Sequence, residues 1–228
     1  VQIYGYGVNP SLYGLMDIAS IEASGVFTIR NLPVTNLFGQ NVLVGIIDTG
    51  ISYTHEAFIH ADGSSRIVSI WDQTIQEGDP PEGFQYGTEY LQEEINQALQ
   101  LANPESLVPT RDEIGHGTFL AGIAAGNTIE SENFSGLAPN SELVVVKLKQ
   151  AKRYLKDFFR VPPDSIAYQE NDIMLAVSYL LQVAERLQKP ISICIGLGTS
   201  QGAHDEMGNL SRYLNSVANL TGVAISIA

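Results

Sequence analysis

The apolar run Val42-Leu43-Val44-Gly45-Ile46-Ile47 stops abruptly on Asp48-Thr49-Gly50. A continuous run of this kind is buried on both faces, as a strand is inside a parallel sheet covered by helices. The second half of the chain repeats the theme. Residues 143–148 read as a strand, and 171–188 as an amphipathic helix with Ile173, Val177, Leu180, Leu181, Ala184 and Leu187 on one stripe. Lys189-Pro190 ends that helix. A strand over 191–197 follows, then a helix over 207–220 through Leu210, Tyr213, Leu214 and Val217, then a strand over 222–228. Strands and helices alternating at these lengths imply right-handed crossovers and an α/β fold, a parallel sheet with helices on both faces.

The first half is less regular. Residues 1–41, rich in Gly, Tyr and Asn, read as an N-terminal arm, and 42–228 as the N-terminal portion of an α/β domain. A strand is expected at 67–71, followed by an inserted surface element at about 72–112. Within it, 88–102 shows helical spacing at Leu91, Ile95, Ala98 and Leu99, with Thr88 as the cap. The final strand has no polar tail or turn residue after it, so the sheet is expected to be incomplete at its C-terminal end.

Asp48 stands at the carboxyl end of its strand, where open α/β sheets place their chemistry. On the strand pattern alone it reads as the cap of a turn with Thr49 and Gly50. A second segment changes that reading. Gly115-His116-Gly117-Thr118-Phe119-Leu120-Ala121-Gly122-Ile123 opens an apolar helix with a histidine flanked by glycines, which admit a close neighbour. A carboxylate at a strand end and an imidazole at a helix start suit a pair that activates a serine. The long separation between them is consistent with the inserted element.

Composition narrows the partners. The formal net charge is −13, which disfavours nucleic acid and anionic membrane surfaces. No apolar stretch is long enough to span a membrane. The one basic concentration, Lys147 to Arg153 with Lys156 beyond, reads as the exposed end of a strand. The single cysteine, Cys194, lies in an apolar run and reads as a small buried hydrophobe. His55 and His60 read as surface positions. No metal-ligand spacing is present, and 127–135 shows no clear calcium pattern, so no cofactor is expected.

The Asp48 and His116 segments resemble the Asp and His motifs of the subtilisin-like serine peptidases. Gly136-Leu137-Ala138-Pro139-Asn140-Ser141 resembles the turn into that family's next strand. More closely, Leu32-Pro33, the run 48–55, Ala167 to Met174 and Gly196 to Asp205 are similar to the Csp-type proteases of spore-forming clostridia. The resemblance implies a subtilisin-like fold and peptide-bond hydrolysis, with Asp48 and His116 as catalytic residues. It also implies an extended protein or peptide substrate along Gly196, Leu197 and Gly198. Further partners implied are a propeptide and a C-terminal half carrying the serine, and the implied setting is extracellular or spore-associated. Phe119 departs from the histidine common after Gly-Thr in other members.

Gly198-Thr199-Ser200 imitates the family's nucleophile motif. Its sequel, Gln201-Gly202-Ala203-His204-Asp205, is loop-like rather than a helix of small residues, so Ser200 is not expected to be the nucleophile. His204 and Asp205 read as loop or rim positions. An inactive pseudoprotease serving as a binding or signalling module is the alternative. An α/β hydrolase or nucleotide-binding domain would need a Gly-x-Ser-x-Gly elbow or a glycine-rich phosphate loop, and the chain has neither.

Overall fold

The computed structural model describes residues 12–15, 37–132, 134–199 and 207–227. Its strands in chain order are β1 (Leu12–Leu15), β2 (Leu43–Asp48), β3 (Ile67–Asp72), β4 (Thr88–Leu91), β5 (Glu142–Lys147), β6 (Tyr168–Gln169), β7 (Ile191–Ile195), β8 (Leu197–Gly198) and β9 (Val223–Ile227). The α-helices are α1 (Gln92–Leu99), α2 (His116–Ala125), α3 (Arg153–Phe158), α4 (Glu170–Leu187) and α5 (Asn209–Ala218).

Six strands form the main sheet in the order β4-β3-β5-β2-β7-β9. All neighbours are parallel except the edge pair β3 and β4. The chain moves from β2 to β3 and back to β5 on one side, then crosses to β7 on the other. Asp48 therefore ends the strand at which the winding reverses, where a crevice opens between the loops.

Alternation along the central strands divides the core into two layers. Leu43 and Ile47 of β2, Val144 and Val146 of β5, and Ile193 and Ile195 of β7 face one way. They pack on Ile173, Val177 and Leu180 of α4, with Leu210 and Val217 of α5 beyond. Val44, Ile46, Leu143 and Val145 face the other way, onto Leu120 and Ala121 of α2 and Ile95 and Ala98 of α1. Asp48 continues the parity of Val44 and Ile46. The side of the sheet covered by α2 is thus the side on which its carboxylate must lie.

Several expectations are corrected. Thr88 caps no helix: Thr88–Leu91 is a strand antiparallel to β3, and the helix begins only at Gln92. Thr88 and Tyr90 alternate inward, and the Leu91 N–H that opens the helix is taken by Glu94 Oε2 at 2.9 Å. The run 191–197 breaks at Gly196, so Leu197–Gly198 leaves the main sheet for a second one. Residues 12–15 of the arm are a strand rather than irregular chain. Lys147 is no exposed strand end. It is 7% accessible, and its Nζ donates to Arg111 O at 2.7 Å and Glu113 Oε2 at 2.9 Å, with Asp72 Oδ2 3.8 Å away.

Arg66 fixes α2 from beneath. It is 1% exposed, and its guanidinium donates to the carbonyls of Ala57, Ala125 and Ser141 and to Asn127 Oδ1. Ala125 is the last residue of α2, so a cation meets the negative end of that helix. Burial lowers the Arg66 pKa to about 10, leaving it charged at neutral pH. Replacing it strands several buried acceptors at once. Arg66→Met should lower the free energy of unfolding by about 3 kcal/mol. Urea titration followed by Trp71, the single tryptophan, measures it. A loss below about 0.5 kcal/mol would mean that water satisfies those carbonyls without cost.

Candidate active site

Asp48 is wholly buried, and among the described residues one of its oxygens is engaged. Oδ1 accepts the Thr49 N–H at 2.7 Å and lies 2.8 Å from His116 Nδ1. An ionised carboxylate can only accept, so towards it Nδ1 is the donor. Oδ2 has no hydrogen-bond partner among the described residues. Dry surroundings raise the Asp48 pKa from its ordinary value, while the bonds from His116 and Thr49 pull it down. The His116 side chain is 17% accessible, enough to present one edge of the ring.

Two close approaches make this geometry sterically admissible. A Cβ on Gly117 would stand 2.3 Å from Gly50 O and 3.1 Å from Asp48 Cβ, so only glycine lets the first turn of α2 rest on the 48–50 turn. A Cβ on Gly196 would stand 2.4 Å from Asp48 Oδ2 and 3.1 Å from His116 Cε1. Gly196 is therefore the wall against which the pair is pressed.

The amino end of α2 has no capping side chain at Gly115. Its free N–H groups are met from elsewhere. Asp112 Oδ2 accepts from Thr118 N at 2.8 Å and Thr118 Oγ1 at 2.7 Å. Asp112 Oδ1 accepts from Gly115 N at 2.8 Å, Ile114 N at 3.2 Å and Thr49 Oγ1 at 2.7 Å. Thr49 Oγ1 in turn accepts the Gly117 N–H at 2.9 Å. These bonds hold the Asp112 pKa below its ordinary value despite partial burial. Sequence reasoning missed Asp112, Thr49 and Thr118. The signal was present in Asp112-Glu-Ile-Gly-His116, an acidic residue just ahead of an uncapped helix start.

The substrate-side residues have separate settings. Gly196 touches the pair, whereas Leu197 is fully buried in the α4 layer. Leu197 and Gly198 form β8, antiparallel to β1 with Leu15 opposite Leu197 and Gly14 opposite Gly198. The other edge of β1 is antiparallel to β6, with Leu12 opposite Gln169 and Tyr13 opposite Tyr168. An extended segment of the chain thus lies between β6 and β8, beside the Asp48–His116 pair. Ser200, His204 and Asp205 lie outside the described residues. Cys194 is partly accessible, and burial with the nearby Asp48 charge raises its pKa to about 11, so it is no ready nucleophile.

Comparison with known proteins gives a consistent result. Residues 39–158, more than half of the chain, match the model of the subtilase family, Peptidase_S8. Subtilisin-like protease SBT1.9 of Arabidopsis thaliana is 32% identical over 136 residues, 50% of this chain and 17% of the relative. Subtilisin-like protease SBT2.2 of the same plant is 30% identical over 156 residues, 61% of this chain and 17% of the relative. The solved CspB protease of Clostridium perfringens superposes with a TM-score of 0.72 at 31% identity, covering 89% of this chain and 38% of that one. The chain thus spans a minor part of the proteins it resembles.

Asp112 carries a pH signature. Its pKa in the fold lies below its unfolded value, so its stabilisation is complete above about 3.9 and is lost as pH falls through the folded pKa. Asp112→Asn should therefore be less stable than the parent at pH 7, with the gap narrowing steadily below about pH 4. Paired thermal melts across that range are the measurement. A gap constant with pH would mean that the carboxylate charge contributes nothing.

Proposed function

The chain belongs to the subtilase family, and from that premise we propose that it is the part of a serine endopeptidase that supplies Asp48 and His116 to an Asp-His-Ser triad. The single observation carrying this is the 2.8 Å contact between His116 Nδ1 and a buried Asp48 at the reversal point of the sheet. The serine is assigned to a part of the protein outside residues 1–228. In this reading His116 Nε2 takes the serine proton as the oxygen bonds to the peptide carbonyl carbon. The same nitrogen returns the proton to the amine as the C–N bond breaks, and water then repeats the cycle on the acyl-enzyme. Asp48 stays ionised and stabilises the imidazolium between the two transfers. No cofactor is required.

The substrate would be an extended peptide hydrogen-bonded through its backbone to Leu197–Gly198 and the facing β6. Support comes from β1, which already pairs with both strands in that manner. On this reading β1 must leave before a substrate strand can enter. In the complete protein, His116→Ala should lower peptide turnover by about 10⁴-fold or more, and Ser200→Ala should leave it nearly unchanged. Hydrolysis of a fluorogenic peptide measures both. Equal losses in the two variants would move the nucleophile to Ser200. No turnover in the unsubstituted protein would favour a binding module that keeps the pair without the chemistry.

A further inference from the structure

A second carboxylate near the pair gathers several hydrogen bonds of its own. Asp112 accepts five hydrogen bonds, and four of the donors belong to residues 114–118, the segment bearing His116. The fifth donor is the hydroxyl of Thr49, the residue after Asp48. Thr49 is therefore held twice: its N–H is spent on Asp48 Oδ1, and its hydroxyl bridges Asp112 and the Gly117 N–H. Among the described residues, two routes consequently run from Asp48 to His116. One is the direct contact, and the other runs Asp48, Thr49, Asp112 and the first turn of α2. Only 3% of Thr49 is accessible, so water cannot replace its hydroxyl cheaply.

We infer that Asp112 and Thr49 are positioning residues for the catalytic pair, a brace that fixes the imidazole relative to the carboxylate before substrate arrives. This rests on the triad reading of Asp48 and His116. The direct contact alone leaves the helix start free to slide or tilt, because one hydrogen bond constrains a distance far better than an orientation. The side route removes that freedom. It joins the turn after β2 to the first turn of α2 by two bonds at one hydroxyl, with Gly117 packed on Gly50 beneath. Lys147 holds the same loop from the sheet side, donating to Arg111 O and Glu113. A displacement of about 1 Å at a reacting group can cost on the order of 10²-fold in rate, so such a brace has consequences for turnover.

The test uses the complete protein and the pair Thr49→Val and Thr49→Ser. Valine keeps the shape and removes the hydroxyl, whereas serine keeps the hydroxyl. Thr49→Val should lower kcat by roughly 10- to 100-fold with KM changed less than about twofold. Thr49→Ser should recover most of that loss. Adding Asp112→Asn to Thr49→Val should cost no more than the worse single change, because both cut the same route. The titration midpoint of His116, read from its Cε1 carbon by NMR, should move away from the parent's in Thr49→Val and match the parent's in Thr49→Ser. That reading needs no turnover, so it still decides the role of Thr49 if the unsubstituted protein is inactive and the triad reading fails. A Thr49→Val protein that melts lower but keeps kcat and the His116 midpoint would reduce the brace to ordinary structural support. Equal losses in the serine and valine variants would show that the hydroxyl is not the element that matters.

Discussion

A single carboxylate oxygen, Asp48 Oδ1, receives the bond around which the site is organised. It sits at the end of the strand where the sheet reverses its winding, and it takes both the backbone of Thr49 and the ring of His116. A wholly buried carboxylate is costly unless paired and hydrogen-bonded, so the position tolerates little disorder in its partner. Strand parity turns the side chain toward α2, Gly117 lets that helix start come down on the turn, and Gly196 closes the far side. Arg66, at the other end of α2, secures the helix that delivers the imidazole.

The neighbouring carboxylates behave in opposite ways for physical reasons that can be separated. Asp112 is only partly buried and meets five donors, so its charged form is favoured. Asp48 is fully buried with one oxygen unpartnered among the described residues, and desolvation outweighs its bonds from His116 and Thr49 and raises its pKa. The first arrangement suits a fixed anchor. The second suits a group that gains from a cationic neighbour, because an imidazolium at His116 offsets the desolvation that a neutral ring leaves in place. Separation of acidic groups by environment is a recurring way to divide roles within a site.

Much of this could be read in the sequence because it depends on long, unambiguous patterns. The central strand, the helix at Glu170–Leu187 and the strand–helix alternation of the second half each extend over enough residues to fix their period. Asp48 and His116 stood out because each ends or begins such an element. What escaped reading depends on short or distant relations. Thr88–Leu91 is four residues of strand running directly into a helix, so the helical spacing beyond it absorbed the start. The strand at Leu12–Leu15 owes its form to two-residue partners far along the chain, which no local pattern announces. Lys147 looked exposed because Asp72 and Glu113 are brought to it only by sheet register and by the loop before α2. Asp112 was visible as a residue but not as a partner of Thr49.

A preformed bond between Asp48 and His116 underlies the proposed function, and proton NMR of the folded protein tests it most directly. A strong hydrogen bond from Nδ1–H to a buried carboxylate shields the proton poorly and slows its exchange with water. One far-downfield resonance is expected, correlated with the His116 ring nitrogen and absent in Asp48→Ala. A folded protein lacking that resonance, or one that keeps it unchanged after Asp48→Ala, would contradict the pairing from which the proposed function is built.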